Sequence, residues 1–134
     1  MDRALEQLVW DRAGNCCEYC QVAQEHDRLP FEIDHIIAKK HGRPTRAGNL
    51  CLACFADNYH KGPNIAGLDP CTRKLTPLFN PRRHKWDRHF RWSGPVLVGR
   101  TPIGRTTIVV LEINLDYRVA FRQGQIDEGV FPPP

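Results

Sequence analysis

Two short cysteine turns, Cys17-x2-Cys20 and Cys51-x2-Cys54, lie on either side of an Asp34-His35 dipeptide. This spacing constrains the chain more than any other feature. A C-x2-C turn presents two thiolates to one ion with little strain, and two such turns complete a tetrahedral zinc site. Read from spacing alone, the ligands are Cys17, Cys20, Cys51 and Cys54. The bland alternative is that some of them are buried free thiols, which behave as small apolar residues. The rest of the chain has no need of a staple merely to fold. Its 134 residues form one domain with an extension, long enough to bury a core of its own. No apolar run is long enough to span a membrane. The first residues carry acids and no apolar stretch, so a secretory leader is not expected and a cytoplasmic location is. A surplus of 19 Lys and Arg over 15 Asp and Glu permits a polyanionic partner without demanding one.

Apolar residues Leu5, Leu8 and Val9 recur at helical spacing and Gly14-Asn15 is a stop signal, which predicts a helix over 3–13. Residues 21–30 read as loop. Phe31 to Ile37 alternates as a strand, with Phe31, Ile33 and His35 on one face. Residues 39–48 form a basic loop punctuated by Gly and Pro, and Asn58 to Lys61 a helical turn stopped by Gly62-Pro63. Further on, Leu75–Phe79 and Val96–Val98 read as short strands, and Trp86, Phe90 and Trp92 share one strand parity. Thr101-Pro102 is a helix start, although the following TTIVVLEI is strand-like in composition; a helix over 102–113 is the favoured reading. The Pro-rich end, with Phe131, is expected to fray.

Asp34 and His35 suit hydrolytic chemistry. The carboxylate is a hard oxygen ligand, and a neutral imidazole can deprotonate water. A lone Asp-His pair says little, but one set between cysteine turns says more. The order Cys17-x2-Cys20, Asp34-His35-Ile36, Asn49-Leu50, then Cys54 with Asn58 and Lys61-Gly62 resembles the zinc-stapled HNH endonucleases. The strings FEIDHIIAKKHG, GNLCLAC and HKGPNIAG, with LFNPR, HFRW and TPIGRTT further on, are similar to one standalone bacterial subgroup of that family.

The resemblance implies an α+β fold, with a ββα-metal, treble-clef-like, zinc-stapled core and a C-terminal hairpin and helix extension. Its expected boundaries are 1–66 for the first helix and core, 67–124 for the extension and 125–134 for a flexible tail. It also implies roles. Asp34 and Asn58 would hold a catalytic Mg²⁺ or Mn²⁺, His35 would be the general base, and Asn49 would brace the loop that aims it. In the family's register Cys54 pairs with position 57, so the structural zinc would be held by Cys17, Cys20, Cys54 and Asp57, with Cys51 as the alternative fourth ligand. Carboxylate binds zinc but is harder than thiolate, so affinity should drop. The implied activity is hydrolysis of DNA, with RNA as an alternative substrate, by a one-metal mechanism. The other reading is a catalytically weak or inactive zinc-stabilised module that binds nucleic acid.

Lys61 and the basic, aromatic-interleaved residues Arg82, Arg83, Lys85 and Arg88 are candidate nucleic-acid contacts, since cations meet phosphates and aromatics stack on bases. The competing reading is that the aromatics are core and the basic face is merely solvated. Cys16, Cys71, His41 and His60 receive no role.

Overall fold

In the computed structural model, which describes residues 1–134, helix α1 (Arg3–Ala13) begins where Asp2 accepts a hydrogen bond from the Leu5 amide at 2.9 Å. It ends at Gly14, whose φ of 61° is the left-handed turn that glycine adopts without a Cβ penalty. The helix packs against strand β2 through the buried Val9. Arg12, in its last turn, donates to the carbonyls of Ala47 and Leu50 at 2.7 and 2.5 Å. Strand β1 (Glu32–His35) pairs antiparallel with β2 (Leu50–Ala53), Asp34 opposite Cys51 and His35 opposite Leu50. All of β2 is buried, so its run of Leu, Cys, Leu and Ala reads as a core strand. Helix α2 (Phe55–Lys61) follows at once. These three elements form a ββα unit in an α+β fold.

The extension adds two more ladders, β3 (Ala66–Leu68) with β4 (Leu75–Pro77) and β5 (Phe90–Ser93) with β6 (Val96–Gly99). The one-turn helix α3 (Trp86–His89) leads into β5, and α4 (Pro102–Val110) and α5 (Asp116–Asp127) follow β6. No helix is long and apolar enough to cross a membrane.

Three expectations for the extension are corrected. Trp86 lies on α3 and not on a strand, and its indole donates to the Tyr19 carbonyl at 2.8 Å, while Trp92 on β5 donates to Gln21 Oε1 at 2.8 Å. Both indoles therefore cap the first cysteine turn, and a shared parity in sequence came from the helix-to-strand junction. The β-branched run after Thr101 is helical, but only to Val110; Glu112 then takes a φ of 50° and the chain turns away. Burial overrides propensity there. Thr107, fully buried, donates to the Ile103 carbonyl at 2.7 Å and accepts from the Phe79 amide at 2.8 Å. Finally, the end of the chain is not loose: α5 runs to Asp127, and Phe131 is buried with its ring 4.9 Å from that of Trp92.

The β3–β4 hairpin is tied to α4 by a bidentate pair. Arg105 Nε and Nη2 donate to the two oxygens of Asp69 at 3.0 and 2.9 Å. Those bonds hold the Asp69 carboxyl well below its usual 3.8. A depressed carboxylate contributes stability above its unfolded value and loses it as pH falls through the folded one. Asp69→Asn is therefore expected to lower the melting temperature near neutrality, with the gap to the parent closing as pH falls below 3.8. A gap of constant size down to strong acid would show that the pair contributes nothing.

A candidate metal cage and catalytic cleft

Cys17 and Cys20 sit on the turn that follows α1. Its shape is fixed by a bond from the Cys17 amide to the Val22 carbonyl and another from the Gln21 amide to the Cys17 carbonyl, both 2.9 Å. Cys54 is the N-cap of α2, its Sγ accepting from the Asp57 amide at 3.4 Å, so Asp57 lies one turn on and on the same side. The ligand atoms of Cys17, Cys20, Cys54 and Asp57 all lie within 4.8 Å of one another, and all four residues are buried. Asp57 Oδ2 is 3.1 Å from Cys17 Sγ and 3.3 Å from Cys54 Sγ, and Cys20 and Cys54 sulfurs are 3.7 Å apart. This is a donor set that can hold a metal ion.

Cys51 is not part of it. It lies on β2 with its Sγ 3.5 Å from the Tyr19 hydroxyl, fully buried, so the reading from C-x2-C spacing alone selects the wrong fourth residue. The reason is register. The strand ends at Ala53, and the loop-to-helix junction turns Cys54 and Asp57, not Cys51, toward the first turn.

The electrostatics of the cage are those of donors crowded out of water. Burial pushes the Cys17 thiol well up and Asp57 up to about 7, while hydrogen bonds from Cys17 and Cys54 bring Cys20 well down. Four ionisable groups this close carry their full negative charge only beside a cation. One cation is supplied by the chain itself. Arg118, on α5 and 5% exposed, donates through Nη2 to Asp57 Oδ1 at 2.8 Å, and the same nitrogen is 3.9 Å from Cys54 Sγ. Its Nη1 is held by the Leu111 carbonyl at 3.0 Å. The Asp57 carboxylate is thus split, one oxygen toward the thiols and the other on Arg118.

On β1, Asp34 and Glu32 share one face. Asp34 Oδ2 is buried and ion-paired to the Lys61 ammonium at 3.1 Å, which also donates to the His35 carbonyl at 3.2 Å. Burial raises the Asp34 carboxyl despite the opposing pull of Lys61. His35 closes the strand, and its Nε2 is 2.8 Å from Thr45 Oγ1. Asn49 is bound into the loop on three sides: Oδ1 accepts from the Ile37 amide at 2.9 Å, and Nδ2 donates to the carbonyls of Ile37 and Pro44 at 2.8 and 3.1 Å. That clamp fixes the segment carrying Thr45 beside His35. Asn58 reaches β1 but meets Glu32, its Nδ2 2.5 Å from Oε2, not Asp34.

Two candidate phosphate contacts are placed elsewhere than expected. Lys61 is 1% exposed and committed to Asp34, because α2 lays its last turn over β1. Arg82 is ion-paired to Glu18, beside the first cysteine turn. Arg83, Lys85 and Arg88 are exposed. Sequence reasoning missed Thr45, Glu32 and Arg118. Glu32 was signalled by its parity with Asp34; nothing in the sequence marks Thr45, or Arg118 far along the chain, for a site.

Residues 17–64, a stretch that spans the ββα unit and the cage, match the family model described as HNH endonuclease. Over nearly its whole length the chain is also similar to a curated protein, the Septu protein PtuB of Bacillus thuringiensis, at 23% identity over 130 residues, 96% of this chain. The chain spans 44% of the length of that relative. No solved structure matches it.

Proposed function

We propose that this chain is a metal-dependent endonuclease that hydrolyses DNA phosphodiester bonds, with His35 as general base. The observation that carries the reading is the placement, at the end of β1, of an imidazole held by Thr45 next to the buried carboxylate oxygen of Asp34. When Thr45 Oγ1 accepts from Nε2–H, the His35 Nδ1 lone pair is free to take a proton from an attacking water. Asn49 keeps the loop in place and so preserves the aim of the ring. Asp34 and Glu32, on one face of β1, offer hard oxygen donors suited to Mg²⁺ or Mn²⁺, and Asn58 is bonded to Glu32. A divalent cation there supplies charge neutralisation for the departing 3′ oxygen.

Zinc suits the cage. With Zn–S near 2.3 Å, a tetrahedral S···S edge is about 3.8 Å, against 3.7 Å between Cys20 and Cys54. Arg118 would offset one of the negative charges of three thiolates and a carboxylate. Exposed Arg83, Lys85 and Arg88 supply cations for the phosphate backbone, which positions a duplex without reading it.

The Lys61 ammonium beside Asp34 favours a second reading, an inactive zinc-stapled module that only binds nucleic acid. Nicking of supercoiled plasmid separates the two. Conversion to the open circle in Mg²⁺ or Mn²⁺, abolished by chelator, is expected. Binding that weakens steeply with salt, with no nicking in either ion, would discard the enzyme and retain the module.

A further inference from the structure

A cavity of about 310 Å³ opens beside the catalytic cleft and shares Lys61 with it. Ile36, Ile37 and Leu78 give it an apolar lining, of which Ile36 and Leu78 are buried. Its polar members are Asn64, Asn80, Arg83 and His84. An apolar cleft with a few convergent polar groups, at the small end of ligand sites, fits one flat heterocycle. The side chains are unevenly committed. Asn80 Oδ1 accepts from the Arg82 amide at 2.9 Å, and its Nδ2 makes no hydrogen bond within the protein. The Asn80 amide donates to His84 Nδ1 at 2.9 Å, so a neutral His84 carries its proton on Nε2. Burial, with Arg83 next to it, lowers the His84 pKa and favours that neutral form. Asn64 makes no side-chain hydrogen bond and is exposed.

The uncommitted groups on Asn80 and His84 are therefore donors, and Arg83 adds a cation that suits a phosphate. We propose that this cavity binds the base of a nucleotide flanking the scissile phosphate and selects guanine over adenine. Guanine presents two acceptors, N7 and O6, on one edge, whereas adenine presents an acceptor and a donor there. The Asn80 and His84 donors match the first edge and oppose the second. Lys61, 3.1 Å from Asp34 and lining the cavity, places the base next to the reacting phosphate. The proposal rests on the endonuclease reading, but it can be tested without catalysis.

The test is a titration of the full-length protein with dGMP, dAMP or inorganic phosphate, followed by NMR at the side-chain amides of Asn64 and Asn80 and the ring of His84. Expected are shifts with dGMP at concentrations about tenfold below those needed with dAMP, and none at these groups with phosphate alone. Asn80→Asp keeps the acceptor for the Arg82 amide but removes the donor, and should erase the preference for dGMP. Equal affinity for the two nucleotides, shifts with phosphate alone, or an unchanged preference in Asn80→Asp would each overturn the proposal. Sequencing of plasmid nicks then reads both layers: guanine enriched at one fixed distance from the cut, and flattened by Asn80→Asp, supports the pocket. Absence of all nicking together with dGMP selectivity would overturn the endonuclease reading while leaving the pocket standing.

Discussion

His35→Ala is expected to abolish plasmid nicking, with a loss of about 10²–10⁴-fold. The size follows from what the imidazole does. General-base help is the share of the rate that disappears when water must lose its proton unaided. The substitution is expected to leave the cage alone, because His35 closes β1 at a partly exposed position and is not one of the four cage residues. Metal content and the melting transition should therefore match the parent. Thr45 provides the control on positioning. Thr45→Val keeps the shape but loses the oxygen 2.8 Å from Nε2, and should lower kcat with little change in KM. Thr45→Ser restores the hydroxyl and should recover most of it. Nicking by His35→Ala at a tenth of the parental rate or more would remove His35 from the base role.

Much of the ββα unit was legible because its signals are local. Gly14 ends the helix before it, Glu32–His35 alternates, and Gly62 follows α2. The cysteine turns bound the region, and Asp34-His35 pointed to hydrolytic chemistry. What sequence could not show was which cysteine faces the cage. Cys51 and Cys54 are both buried, and the choice depends on where β2 stops and α2 starts. The extension was harder for a related reason. The indoles of Trp86 and Trp92 look like a stacking platform, yet they cap the turn at Tyr19 and Gln21, and Arg82 is drawn to Glu18. Residues that suit nucleic acid in composition are spent on holding the first cysteine turn in place. Phe131 shows the same thing at the end of the chain. A Pro-rich terminus has no local reason to be ordered, and the packing of Phe131 on Trp92 supplies a long-range one. Long-range partners of this kind leave no period or spacing in the sequence.

Arg118→Leu is expected to be the most damaging change outside the cleft. Arg118 and Asp57 are both buried and 2.8 Å apart. Removing one partner of a buried pair strands the other and costs about 3–5 kcal/mol. Here the stranded group is also a cage donor. Asp57 Oδ2 lies among the thiols only while Oδ1 is held by α5, so loss of the guanidinium frees the carboxylate to rotate and leaves the site's negative charge uncompensated. Metal release to a chelator should quicken, and the unfolding midpoint in denaturant should fall with it. Asp57→Cys acts in the opposite direction on retention, since a softer fourth donor suits zinc better than carboxylate. Adding Asp57→Cys to Arg118→Leu should recover much of the lost stability, because no carboxylate then remains stranded. A double mutant no better than Arg118→Leu alone would assign the damage to the bond with the Leu111 carbonyl, making Arg118 a brace for the α4–α5 turn and not a partner of the cage. Recovery in the double mutant means that the extension and the staple form one cooperative unit, in which α5 holds the metal site through a single guanidinium.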